Sequence, residues 1–237
     1  MAEPWHLRVE TARAAAESAP PRRVVVEVLD QAAWETVAPL IAAARGDAAP
    51  SAATGAVAPD ALARFQARCR EPDTLRVFAA PRGVGPTEWS RDPRERTHLR
   101  RRLALLGETD DAGRVIDLHG ILRALRHDPL LAGAEVEVVG SGMAAGWALL
   151  AALVADDDGL DGLRLRLTAL PTSAREGPIL LNFLRVMDMP HATALACRRH
   201  DVELFVPDTA AADTWGFATA VGRLTGRPPR ITATAAP

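Results

Sequence analysis

The sequence predicts an α/β fold, three layers deep, with a mostly parallel sheet covered by helices on both faces. Two observations carry that expectation. Short runs rich in β-branched residues alternate from end to end with stretches of helical periodicity, and no internal repeat interrupts them. One of those runs, Glu135-Val-Glu-Val-Val139, passes through Gly140-Ser-Gly142 directly into an apolar helical stretch that reaches Leu153. A strand, a tight glycine turn and a helix in direct succession form a junction at which small residues let two backbones approach.

The elements follow in order. Residues 1–21 read as a lead-in, polar, Ala-rich and partly helical, stopped by Pro20-Pro21, and residues 22–237 as a single domain. Residues 23–29 form the first strong strand, and Asp30 stands as N-cap of a helix carrying Trp34, Val37, Leu40 and Ile41 on one face. Residues 46–59 turn to Ala, Pro, Gly and Ser, a loop composition, and a short helix spans 60–70. A strand over 74–80 runs into the Pro- and Gly-rich loop 81–89, then a basic helix over 94–106 and an amphipathic one over 114–127. After the 135–153 unit come a strand over 163–169, helices over 176–187 and 191–199 broken at Pro190, a strand over 202–206, a helix over 210–224 and a strand over 230–234.

Composition excludes several function classes. At 237 residues the chain can bury a sizeable core, and a net charge of −2 leaves no nucleic-acid footprint. All 28 basic residues are arginine, which reads as a compositional bias rather than a function. Cys69 and Cys197 set no disulfide framework, and no Cys/His/carboxylate spacing suggests a metal. No apolar run is long enough to span a bilayer, and Met1-Ala-Glu-Pro-Trp-His lacks a basic region followed by an apolar one. The expectation is a soluble chain without signal peptide, cytoplasmic by default unless it is a fragment of an exported protein, with no membrane partner and no cofactor.

Two known sites use a turn like the one at 140–142. The first is the nucleophile elbow, Gly-x-Ser-x-Gly, which lifts a serine onto a tight turn between small neighbours. With Gly140 as its first glycine, the nucleophile position is Gly142 and the last small position is Ala144. The backbone shape is kept and the hydroxyl is missing, while Ser141 lies one place early. A triad also needs an acid after a later strand, for which Asp208 is well placed and Asp213 is close by. It needs a histidine after the last strand, where the chain reads Ala235-Ala-Pro237. An active serine esterase would therefore use Ser141, with His119 or His191 brought in from elsewhere. The second site is a dinucleotide loop, which Gly140-x-Gly142-x-x-Ala145 or the run to Gly146 would serve as a nucleotide-cofactor site. It expects an acid ending the next strand, and Leu167-Thr-Ala-Leu-Pro171 has none. Arg82 and Gly83, within Pro81-Arg-Gly-Val-Gly85, can present backbone N–H groups and charge to an anion, or simply form a turn. Gly140, Ser141, Gly142, Met143, Arg82 and Gly83 are the candidate elbow and cleft residues.

Several phrases together resemble a known family: Ala80-Pro-Arg-Gly-Val-Gly-Pro-Thr-Glu-Trp89, Arg101-Arg-Leu-Ala-Leu-Leu-Gly-Glu-Thr109, Arg114-Val-Ile-Asp-Leu118, Val138-Val-Gly-Ser-Gly142 with Ala148-Leu-Leu-Ala-Ala152, and Leu184-Arg-Val-Met-Asp-Met-Pro190. They are similar to the carboxyl-terminal α/β-hydrolase-like domain of large acetyl xylan esterase-like proteins from planctomycete-type bacteria, from about Arg22 to the end of the chain. The resemblance implies an α/β-hydrolase sheet and a carbohydrate-esterase ancestry. It also implies that in two-domain relatives the catalytic machinery lies in a preceding domain. With glycine at 142 and no histidine after the last strand, the expectation is a degenerate, non-catalytic domain with a binding or structural role. Its expected partners are a catalytic esterase domain or another subunit, and its expected ligand a carbohydrate or acyl ester.

Overall fold

The computed structural model describes residues 9–11, 20–46, 57–154 and 160–233. Among these residues one sheet contains β1 (Val9–Thr11), β2 (Arg23–Val28), β3 (Thr74–Ala79), β4 (Glu135–Ser141), β5 (Arg164–Thr168), β6 (Asp201–Val206) and β7 (Arg230–Ala233). The spatial order is β1-β3-β2-β4-β5-β6-β7. β1 runs antiparallel to β3, and every other pair is parallel. The helices are α1 (Gln31–Arg45), α2 (Pro59–Cys69), α3 (Pro93–Leu105), α4 (Asp110–His127), α5 (Met143–Val154), α6 (Met189–Ala196), α7 (Thr209–Asp213) and α8 (Gly216–Leu224). This is the expected three-layer α/β-hydrolase-like fold, a mostly parallel sheet with helices on both faces.

The strands alternate cleanly, and alternation assigns the layers. One face carries Val24, Val26, Val138, Leu165, Leu167 and Leu204, all buried against the apolar sides of α4, α5 and α6. The other face carries Phe78, whose ring stacks on Phe65 of α2 at 5.5 Å, with Trp34, Val37 and Ile41 of α1 packed around them. Further along that second face the core gives way to charge. Arg23 Nη2 lies 2.5 Å from Glu137 Oε2, Arg166 Nη1 3.5 Å from Glu137 Oε1, and Arg166 Nε 3.2 Å from Glu203 Oε2. Glu137 is only 1% exposed, and a buried carboxylate persists because arginines flank it on both sides.

The chain order positions the site. From β2 the chain moves to β3 on one side, then returns across β2 to place β4 on the other. The direction of winding reverses between β2 and β4, and a crevice opens there at the carboxyl ends of the strands.

Four expectations need correction. Val9–Thr11, read as part of a partly helical lead-in, pairs with Ala79, Phe78 and Val77 as an edge strand. Residues 176–187 form only a 3₁₀ turn over Phe183–Arg185 rather than a helix. Their polar backbone bonds elsewhere: Ile179 N–H donates to Asp111 and Ile179 C=O accepts from Thr109 Oγ1, while Asn182 takes a left-handed φ of 62°. Pro190 sits in the first turn of α6, where its missing N–H costs nothing, so it starts a helix rather than separating two. The helix expected over 210–224 is divided at Thr214-Trp215, where the Trp215 side chain, 1% exposed, turns into the core. The loop expected over 46–59 falls mainly outside the described residues, as do His6 and most of the lead-in. No helix among the described residues is long and apolar enough to cross a membrane.

Candidate functional site

A single residue, Gly142, turns the chain from β4 into α5. Gly142 N–H donates to Thr168 C=O across the β4–β5 edge, and Gly142 turns with φ +56° into the first residue of α5. The glycines on either side of Ser141 are present for different reasons. A Cβ on Gly140 would lie 2.8 Å from Ala145 N and 2.9 Å from Ala144 C and O, so α5 can approach the strand only because Gly140 has none. A Cβ on Gly142 would meet nothing within 4 Å. The apex is left-handed, open and without a side chain.

Ser141 is exposed and ends β4 opposite Thr168. By strand alternation it shares the face of Glu135 and Glu137, away from the α5 side of the sheet. The candidate histidines lie on α4 and in the first turn of α6. His119 lies nine residues into α4, about 13 Å along the axis from the end that faces the crevice. His191 belongs to the capping box of α6: its Nδ1 accepts the Asp188 N–H at 3.3 Å, and its ring sits 4.4 Å from that of Phe217. His200 is buried with Nε2 3.2 Å from Ala152 C=O, near the far end of α5. Asp208 does follow β6, but two strands over from the elbow, about 10 Å away in strand spacings. Its carboxylate accepts the Ala211 N–H at 2.7 Å as N-cap of α7, and Asp213 is exposed at that helix's other end.

Three N–H groups of the Pro81–Gly85 loop, those of Arg82, Val84 and Gly85, bond to protein acceptors. Arg82 N–H and Nε donate to Asp117 Oδ2 at 2.9 Å each, and Arg82 Nη2 to Oδ1 at 2.6 Å. Val84 N–H goes to Pro81 C=O and Gly85 N–H to Gln31 Oε1. The hydrogen bonds to Asp117 push the Arg82 guanidinium above its ordinary value, against the effect of burial. Arg82 therefore fastens the loop to α4, and a Cβ on Gly113 would come within 2.7 Å of it. Gly146, the last glycine of the dinucleotide alternative, packs on Pro178, whose ring carbons would stand 2.6 Å from a Cβ there.

A cleft of ≈ 270 Å³ opens at the winding reversal, lined by Asp30 and Gln31 after β2, Gly83 after β3 and Met143 after β4. Its wall is a network that the sequence did not announce. Arg114 of α4 donates to Asp111 Oδ1 at 2.7 Å and to Arg82 C=O at 3.1 Å, and its guanidinium stands 4.9 Å from the Trp147 ring and 5.8 Å from that of Trp89. Asp111, 2% exposed, also accepts Trp147 Nε1–H and Ile179 N–H, each at 2.8 Å. Asp110 takes Arg100 Nε at 3.1 Å. The one hint in the sequence was Thr109-Asp-Asp111, an N-cap followed by first-turn acids, which reads as helix capping rather than a cleft wall. No cluster of three metal-ligating side chains occurs among the described residues.

No family model and no curated protein matches the sequence. Among solved structures the chain is similar to a candidate acetyl xylan esterase from Bacteroides fragilis NCTC 9343, with a TM-score of 0.52 and 11% identity. The alignment covers 90% of this chain and 59% of that one, so the chain spans about three fifths of that protein's length. The likeness is one of fold.

Proposed function

We propose that this chain is a degenerate α/β-hydrolase-like domain that keeps the shape of a nucleophile elbow without its chemistry, and acts as a non-catalytic binding companion of a carbohydrate esterase. One observation carries this: the left-handed apex between β4 and α5 is Gly142, so nothing stands where the hydroxyl of a nucleophile would project. Ser141 is a poor replacement, because it ends the strand one residue before the apex and the candidate His191 is engaged in the capping box of α6. Asp208 is engaged as a helix cap. The association with carbohydrate esters draws on the phrases at 80–89, 101–109 and 184–190, and on the fold shared with the Bacteroides fragilis protein.

The purified protein is expected to show no hydrolysis of p-nitrophenyl acetate above buffer and no covalent labelling by a fluorophosphonate probe. Stoichiometric labelling that disappears in Ser141→Ala would overturn the proposal, since it requires an activated serine.

A further inference from the structure

A second cleft, of ≈ 570 Å³, adjoins the one at the elbow. The two share Trp89, Ser90, Arg96 and Leu99, so they form one groove running from Met143 outward along α3. α3 buries none of its thirteen residues, which leaves its packing unexplained by the core alone. Charge along the groove is uneven. At the inner end it is neutralised: Arg114 and Arg100 face Asp110 and Asp111, and Glu88 holds Arg91. At the outer end Glu95 accepts from the Ser90 hydroxyl, while Arg102, and Arg96 which lines both parts, form no ion pair with a carboxylate among the described residues. His98 lies beside them, and the half-buried Trp89 indole forms the wall between the two parts.

We infer that this groove binds an acidic saccharide, with a sugar ring against Trp89 and its carboxylate on Arg96 and Arg102. An indole offers a broad apolar surface to the C–H face of a pyranose, and guanidinium forks match carboxylates two bonds at a time. A neutral sugar would leave this end with two guanidiniums against the single carboxylate of Glu95. The inference rests on the proposed non-catalytic binding role and gives that role a ligand class.

Tryptophan fluorescence with trigalacturonate, neutral xylotriose and ATP tests it on the full chain. Trigalacturonate is expected to give saturable quenching, with affinity reduced at least about tenfold in the double variant Arg96→Gln/Arg102→Gln. Binding should also weaken as salt is raised from about 50 to about 300 mM. Both substitutions are on a helix that buries nothing, so the variant folds, which circular dichroism checks directly. No saturation by trigalacturonate, equal affinity for xylotriose, an unchanged double variant, or saturation by ATP alone would each overturn the inference. Fluorophosphonate labelling at Ser141 would instead remove the non-catalytic role and leave this binding result standing, so the two failures are separable.

Discussion

Gly140 and Gly142 lie two positions apart and answer to different physics. At Gly140 the constraint is space, because three backbone atoms of α5 stand within 2.9 Å of where a Cβ would be. At Gly142 it is conformation, because φ is +56° and the surroundings are open. Gly140→Ala must push α5 off the sheet, and its expected cost is about 2–4 kcal/mol. Gly142→Ser carries only left-handed strain, about 1–2 kcal/mol. Urea unfolding midpoints of the two variants give the comparison, and a costlier Gly142→Ser would refute the close-approach account of Gly140. Gly142→Ser also restores a hydroxyl to the apex. On the proposed non-catalytic role, it is expected to gain no esterase turnover.

At the scale of elements, what was legible in the sequence is what local forces decide. The β4-turn-α5 unit was readable because alternation, two glycines and a run of helix formers all act within twenty residues. Asp30 was readable as a cap, and its carboxylate does accept Ala33 N–H at 2.8 Å. Residues 176–187 were not, because their partners are Asp111, Thr109 and Gly146, far off in sequence. α6 shows both kinds of control. Its N-cap Asp188 accepts Met189 N–H at 2.8 Å, and also Ala174 N–H at 2.6 Å and the Ser173 hydroxyl at 2.8 Å from the segment after β5. Burial alone would raise the Asp188 carboxyl. The bonds from Ala174, Ser173 and Met189, with the nearby His191, hold it below its ordinary value instead. A carboxyl lowered by folding stabilises the native state above its unfolded value, about 3.9, and that contribution is lost as pH falls through the folded one. Asp188→Asn keeps a capping oxygen and removes the charge. Its unfolding midpoint is expected to fall less steeply than the wild type's between about pH 4 and pH 2, and parallel acid profiles would contradict the assignment.

At the scale of the whole molecule, the site is a product of topology. The turn of the elbow could be read from neighbours in sequence, and the cleft wall could not, because the strand order that opens it joins residues far apart. Asp111 makes the point: it ties the first turn of α4 to Trp147, 36 residues away on α5, and to Ile179, 68 residues away after β5. With Arg114 Nη1 at 2.7 Å it accepts three donors, and two of them, the Trp147 indole N–H and the Ile179 N–H, have no other acceptor among the described residues. Its removal should therefore cost far more than that of an exposed ion pair. Asp111→Ala leaves an indole N–H and a backbone N–H without acceptors and takes the shorter of two carboxylates from the Arg114 guanidinium, which keeps Asp110 and Arg82 C=O, and the expected loss is about 3–5 kcal/mol. Asp60→Ala breaks a pair with Arg64 at 2.9 Å in which both side chains are mainly exposed, and the expected loss is under about 1 kcal/mol. Denaturant unfolding at one pH and salt concentration compares the two directly. Comparable losses would mean that Asp111 is not what joins α4, α5 and the segment after β5. If the losses differ as expected, the cleft wall is also a support of the fold, and α3, which buries nothing, is the side of the groove free to change without unfolding the domain.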